Sequence, residues 1–290
     1  MKKHMLKSIM AGLLLVISVS HTHAQEQHAS SLLWKITGNG LESPSYLFGT
    51  IHVICKDQFI MDERITEALE SSEKLAMELD MSDPNLVQEM QMVSFNPDMQ
   101  NIQEEFEPEH REAVNKFLSE SYGAGLDQMG VLKPFVLSSM ILMKQLPCAD
   151  QSSYEMYFVE KAKNMEMPVV GLETIQFQVG IFDEIPQKLQ IDELGKMVTN
   201  QDSMKEFERM VTNYTSENLD ELYQVIAEND LFKEYGDLLL TKRNENWISK
   251  IQTLIHDQPT FIAVGAGHLP AEDGVIQLLR TAGYAVEAVR

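Results

Sequence analysis

A short element that occurs twice, once near each end of the chain, most limits how this sequence can fold. SYLFGTIH ends in Gly49-Thr50-Ile51-His52, and FIAVGAGH ends in Gly265-Ala266-Gly267-His268. Each is an apolar, strand-like run that breaks at glycine and then reaches a histidine. Both runs are apolar on both faces, which suits strands of one sheet covered by helices. Glycine lets the backbone turn sharply after a strand and lets another group approach closely. In α/β sheets, sites form beyond the carboxyl ends of the strands, so both imidazoles are expected at one such edge.

The rest of the chain fits around that sheet. LLWKITG (32–38) and SYLF (45–48) read as strands joined by a Gly38-Asn39-Gly40 turn. Asp62 caps an expected helix over 63–73, and LAMELD (75–80) reads as a short strand. A long helical region follows from about 84 to 165, with Pro108 and Pro134 at first-turn positions. MPVVGLE (167–173) reads as a central buried strand, further helices fill 174–255, and YAVEAV (284–289) is a last strand. The expected fold is therefore α/β: a central mixed sheet covered by helices, with a large helical insertion at about 84–165. Residues 25–290 are expected to form a single domain.

The first residues have a different character. Lys2, Lys3 and Lys7 precede an apolar run of about 11 residues, and Thr22-His23-Ala24 follows. This is the pattern of a secretory signal over 1–24, and the run is too short to span a bilayer. A secreted or periplasmic location follows, with no transmembrane segment after signal removal. The competing reading is an uncleaved N-terminal anchor. Acidic residues outnumber basic ones 44 to 23, for a net charge of −21. Loss of a leader carrying three lysines makes the remainder still more acidic, so nucleic-acid binding is excluded on electrostatic grounds. In an oxidising compartment Cys55 and Cys148 can pair, or they can remain as two buried thiols.

Only five histidines remain outside the leader, and two of them share the repeated context. A single histidine of this kind is more often a hydrogen-bonded structural residue. A pair at one edge suits a metal ion, for which neutral imidazole is a common ligand. Carboxylates at nearby strand ends, Glu78 and Asp80 in LAMELD and Glu173 in VVGLET, could complete a ligand set.

Taken together, LLWKITG…SYLFGTIHV, LAMELD, VVGLET, LLTKRNENW and FIAVGAGHL…LLRTAGYAVEAV resemble the TraB/GumN family, which includes the Tiki-type metalloproteases. The resemblance runs from about residue 32 to 290. It implies an α/β fold related to erythromycin-esterase-like and ChaN-like proteins, with two facing G-x-x-H elements and an acidic residue around a divalent metal. The motif match makes His52, His268 and Glu78 the ligand candidates and Gly49, Gly265 and Gly267 the motif glycines. Glu173 and the Arg243-Asn244 pair also match recurrent family positions.

The expected chemistry is hydrolysis of a peptide bond in a peptide or protein substrate, by a water activated on Mn, Co or Zn. Glu78 or Glu173 would ligate or accept the water proton, and Arg243 would hold a substrate carboxylate or a developing oxyanion. Without the resemblance, Arg243 reads as an ordinary exposed helix charge. No H-E-x-x-H, G-x-S-x-G or Walker-A pattern occurs, which argues against zincin, common serine-hydrolase and P-loop chemistries. The alternative function is an exported, non-catalytic protein that binds haem or a peptide through the same paired histidines. His110 is expected to be exposed, His256 to meet helix carbonyls, and Trp34 and Trp247 to pack in the core. Oligomeric state is not legible.

Overall fold

The computed structural model describes residues 30–200 and 202–290. The signal-like segment at 1–24 lies outside the described residues. Six strands form the main sheet: β1 (Leu33–Thr37), β2 (Ser45–Thr50), β4 (Lys74–Met77), β6 (Val169–Gly171), β7 (Thr260–Gly265) and β8 (Ala285–Ala288). Two shorter strands, β3 (Ile54–Cys55) and β5 (Gln151–Ser152), pair separately as an antiparallel ribbon. The order across the main sheet is β6-β4-β7-β2-β1-β8. The β6, β4, β7 and β2 strands run parallel, while β1 is antiparallel to both β2 and β8. The sheet is mixed, as expected.

Burial follows the apolar pattern. Strand β7 is buried along nearly its whole length between β4 and β2, as a strand covered on both faces must be. Phe158, from the helix Tyr154–Asn164, packs against Phe48 and Phe261 of the sheet. The Gly38-Asn39-Gly40 turn has positive φ at all three residues, 82°, 46° and 82°, a conformation that glycine and asparagine tolerate best. The Asp62 side chain accepts from the Ile65 amide and caps the helix Glu63–Glu70. Pro108 and Pro134 each open a helix, where the missing N–H costs nothing.

Two expectations change. MPVVGLE supplies β6, which lies at the edge of the sheet and is only half-buried. A short apolar run indicates that a strand packs, but neighbouring strands decide its place in the order. LAMELD is a strand only to Met77, so Glu78 projects from beyond the strand end rather than from its pleat. The region after residue 84 is a series of separate helices with β5 among them. Several of these helices share a small apolar cluster with Ile191 and Leu194 of the later helix Gln187–Thr199.

Candidate functional site

The register of two central strands brings the repeated elements together. Strands β2 and β7 run parallel with Gly49 opposite Val264 and Thr50 opposite Gly265. Both G-x-x-H elements therefore leave the sheet at the same edge. A Cβ at Gly49 would lie 3.1 Å from both Ala266 Cα and Ala266 Cβ, so this glycine lets the two elements pack directly together. Tyr214 fixes the contact by donating to the Gly49 carbonyl at 3.0 Å. Strand β4 lies on the other side of β7 and places Glu78 just past Met77. Beyond it, the Glu173 amide donates to the Glu78 carbonyl at 2.9 Å. Four parallel strands thus deliver His52, His268, Glu78 and Glu173 to one edge.

The inner half of this site is buried and saturated. Arg243 approaches from the helix Lys242–Asp257, immediately after a π-helical turn, Asp237–Thr241. Such wide turns recur at functional sites, where they redirect side chains. All five guanidinium donors of Arg243 meet protein atoms. Nη2 donates to Glu78 Oε2 and to Glu173 Oε1, both at 2.6 Å, and Nε donates to Glu173 Oε2 at 3.2 Å. Nη1 donates to the Leu239 carbonyl at 3.2 Å and to His268 Nε2 at 3.1 Å. The guanidinium also lies 5.0 Å from the ring centre of Trp247, four residues along the same helix.

This network fixes the tautomer of His268. An arginine cannot accept, so Nε2 of His268 must be the unprotonated nitrogen. Nδ1 then carries the proton and donates to Asn244 Oδ1 at 2.6 Å. The Asn244 amide nitrogen donates in turn to the Asp273 carbonyl at 2.9 Å, which orients the side chain. His268 is 5% exposed, and burial pushes its pKa down to about 3. For Glu78, burial works against the charge. The facing His268 ring and the Arg243 guanidinium more than offset it, with help from the Gly265 amide at 2.8 Å, and hold the carboxyl at about 2. Gln178 donates to the other oxygen of Glu78 at 2.9 Å. Burial raises Glu173 despite its bidentate contact with Arg243, and Trp247 Nε1 donates to it at 3.0 Å.

The outer half is built differently. The His52 side chain is 71% exposed, and among the described residues its ring makes one hydrogen bond, from Nδ1 to Glu155 Oε1 at 3.0 Å. The Glu155 bond is the main reason that the imidazole rises to about 9. Thr50 also donates to Glu155 Oε1, and Ser153 donates to Oε2, each at 3.0 Å. Cys55 and Cys148 form a disulfide beside this contact.

The donor types suit a divalent ion, but the arrangement does not fit one. Among the described residues, no three His, Cys, Asp or Glu side chains are grouped to hold a metal. The lone pair of His268 faces Arg243, and both oxygens of Glu78 already accept from protein donors. Arg243 supplies the positive charge at the centre of the site. It is 9% exposed, not a surface charge, and it has no donor left for a substrate. Asn244 orients His268. Gly265 gives Glu78 room, since a Cβ there would lie 3.2 Å from Oε1, and Gly267 faces Ile226 closely.

Sequence reading missed Glu155, Gln178 and the polar role of Trp247. The four-residue step from Arg243 to Trp247 on one helix was a usable signal for the last; the other two had none. His256 bonds the Tyr284 hydroxyl at 2.9 Å rather than helix carbonyls, and His110 is half-buried against Gly195.

The fold and edge define an α/β protein with a histidine–carboxylate–arginine site at the ends of its parallel strands. A profile of the TraB/PrgY/gumN family matches residues 32–288, and the chain belongs to that family. Metalloprotease TIKI1 of Danio rerio is 23% identical over 92% of this chain and 64% of its own length. Metalloprotease TIKI2 of Xenopus tropicalis is 21% identical over 90% of the chain and 60% of its own length. The chain thus spans less than two thirds of these relatives. YbaP of Shigella flexneri, an uncharacterized protein, is 23% identical over 81% of the chain and 88% of its length. No solved structure matches.

Proposed function

We propose that this protein is an exported metal-dependent hydrolase that cleaves peptide bonds at the carboxyl edge of its sheet. The observation that carries the reading is the parallel register of Thr50 with Gly265, which brings two G-x-x-H elements from opposite ends of the chain to one edge. The metalloprotease names of the relatives supply the reaction class. Mn, Co or Zn is the ion class in this proposal. It rests on those names and on the donor types of His52, His268 and Glu78, not on an assembled ligand set. His268 Nε2 can take an ion only if Arg243 releases it.

The residues divide the remaining work. Glu78 is ionised at neutral pH and directs its charge toward His268 and Arg243. Asn244 holds His268 in the Nδ1-protonated form, which leaves Nε2 able to accept a proton or a ligand. Glu173 holds Arg243 in place through two bonds. His52 is protonated at neutral pH with Nδ1 on Glu155; its Nε2, which has no protein partner among the described residues, can donate to a substrate and takes an ion only by giving up its proton. No described helix is long and apolar enough to cross a membrane.

The test is cleavage of unstructured peptides by protein purified without chelator, run beside elemental analysis. Cleavage is expected to stop with EDTA and in His52→Ala and His268→Ala. Cleavage that persists in both variants would overturn the site. A coloured protein with a Soret band and no cleavage would replace this reading with haem binding.

A further inference from the structure

The contact between His52 and Glu155 is constructed more elaborately than a surface ion pair needs. An exposed pair of that kind contributes little and leaves both side chains mobile. Here the carboxylate is the fixed partner: Glu155 is 19% exposed while His52 is 71% exposed. Thr50, on the same strand end as His52, and Ser153, the cap of the helix Tyr154–Asn164, both donate to it. Glu155 also lies in the first turn of that helix, where the exposed amides favour negative charge.

Three further ties join the segment after His52 to the segment before Glu155. Ile54 pairs with Ser152 and Cys55 with Gln151 in the β3–β5 ribbon. The Cys55–Cys148 bridge closes the same junction covalently. The Tyr154 hydroxyl accepts from the Ile60 amide at 2.9 Å and donates to the Ile60 carbonyl at 3.1 Å. A short ribbon of two residues per strand has little stability of its own. The bridge and the tyrosine supply what the ribbon lacks.

We propose that Glu155 is a positioning residue for His52, holding the proton on Nδ1 and aiming Nε2 outward, and that the Cys55–Cys148 bridge keeps the two segments in register for that contact. The proposal deepens the hydrolase reading and rests on it for its catalytic meaning. The geometric content stands without it. A ring nitrogen that ligates or exchanges a proton works in one tautomer, and the bond at the other nitrogen selects which one. The sequence distance between His52 and Glu155 hides this partnership, which only the ribbon and bridge bring about.

Nitrogen–proton NMR correlations of His52, recorded where its ring is neutral, report the tautomer directly. The intact protein is expected to show the Nδ1-protonated form. Glu155→Ala is expected to shift His52 toward the Nε2-protonated form of free histidine, and Glu155→Gln, which still presents an acceptor, to retain much of the original signal. Cys55→Ser/Cys148→Ser is expected to lose the Nδ1-protonated signal in part. In the peptide-cleavage assay, Glu155→Ala should lower kcat by about 10- to 100-fold with KM little changed, and Glu155→Gln should recover part of it. Identical His52 spectra in the intact protein and Glu155→Ala would overturn the positioning role. An unchanged tautomer in the double serine variant, with only a lower melting temperature, would overturn the role of the bridge. Because the spectra need no turnover, an inactive protein with the expected tautomers would sink the hydrolase reading and leave this one standing.

Discussion

The two histidines of the repeated element sit at one sheet edge but in opposite environments. His268 is enclosed by Arg243, Asn244, Trp247 and Glu78, and both of its nitrogens are engaged. His52 is largely exposed, with one hydrogen-bond partner among the described residues. The same four-residue pattern therefore yields a saturated inner residue and a projecting outer one. The difference teaches that G-x-x-H specifies a place at the edge, while the covering elements assign each imidazole its protonation state. For His268 the cover is a helix that brings a guanidinium. For His52 it is the first turn of a helix, tied on by a disulfide just before it, that brings a carboxylate.

The largest expected effect lies in the inner half. Arg243→Met leaves Glu78 and Glu173 buried without a cation, and it should cost about 3–5 kcal/mol in urea unfolding. A loss below 1 kcal/mol would mean that the inner network is not stabilised as its contacts indicate. Next comes the outer half. Removing the Cys55–Cys148 bridge, which spans 93 residues of sequence, should cost about 2–4 kcal/mol. That loss should appear in thermal unfolding while the native-state tryptophan fluorescence, from Trp34 and Trp247, stays unchanged.

Point changes at the histidines should then separate the halves. His268→Ala leaves Arg243 and Asn244 groups unpaired in a buried pocket and should cost about 1–3 kcal/mol. His52→Ala should stay within about 0.5 kcal/mol of the intact protein. Equal losses from the two variants, measured side by side in urea, would erase the distinction.

The two histidines should also respond to pH with opposite sign. His268 falls from 6.5 to about 3 on folding, so the unfolded chain takes the proton first and stability declines as pH drops through that interval. Glu78, lowered from 4.5 to about 2, adds stability above 4.5 that is lost as pH falls toward 2. His52, raised from 6.5 to about 9, contributes below 6.5 and loses that contribution as pH rises through 9. Its exposure makes this alkaline effect the smallest of all. Glu155→Ala should remove the alkaline decline and keep the acid one, as urea midpoints across acid, neutral and alkaline buffers would show. Loss of the acid decline in that variant would contradict the assignment.

Much of this molecule was legible from local pattern alone. The two apolar runs ending in G-x-x-H, the Asp62 cap and the prolines at helix starts each depend on near neighbours in the chain, so residue type and spacing suffice to read them. Glu78 was also readable, as a carboxylate in an apolar run. The edge position of β6 was not, because strand order depends on which partners lie on either side. Neither was Glu155, whose meaning comes from His52, 103 residues away.

The sequence by itself determined that strands from both termini join one sheet and that its carboxyl edge carries His52, His268 and Glu78. It did so because hydrophobic period and glycine breaks act over a few residues. Only the tertiary structure decided that Arg243 fills the space between Glu78, Glu173 and His268, and that a carboxylate from beyond a disulfide holds His52. Protonation and ligand availability depend on charges and donors within a few ångströms, and those neighbours are brought together by packing rather than by order along the chain.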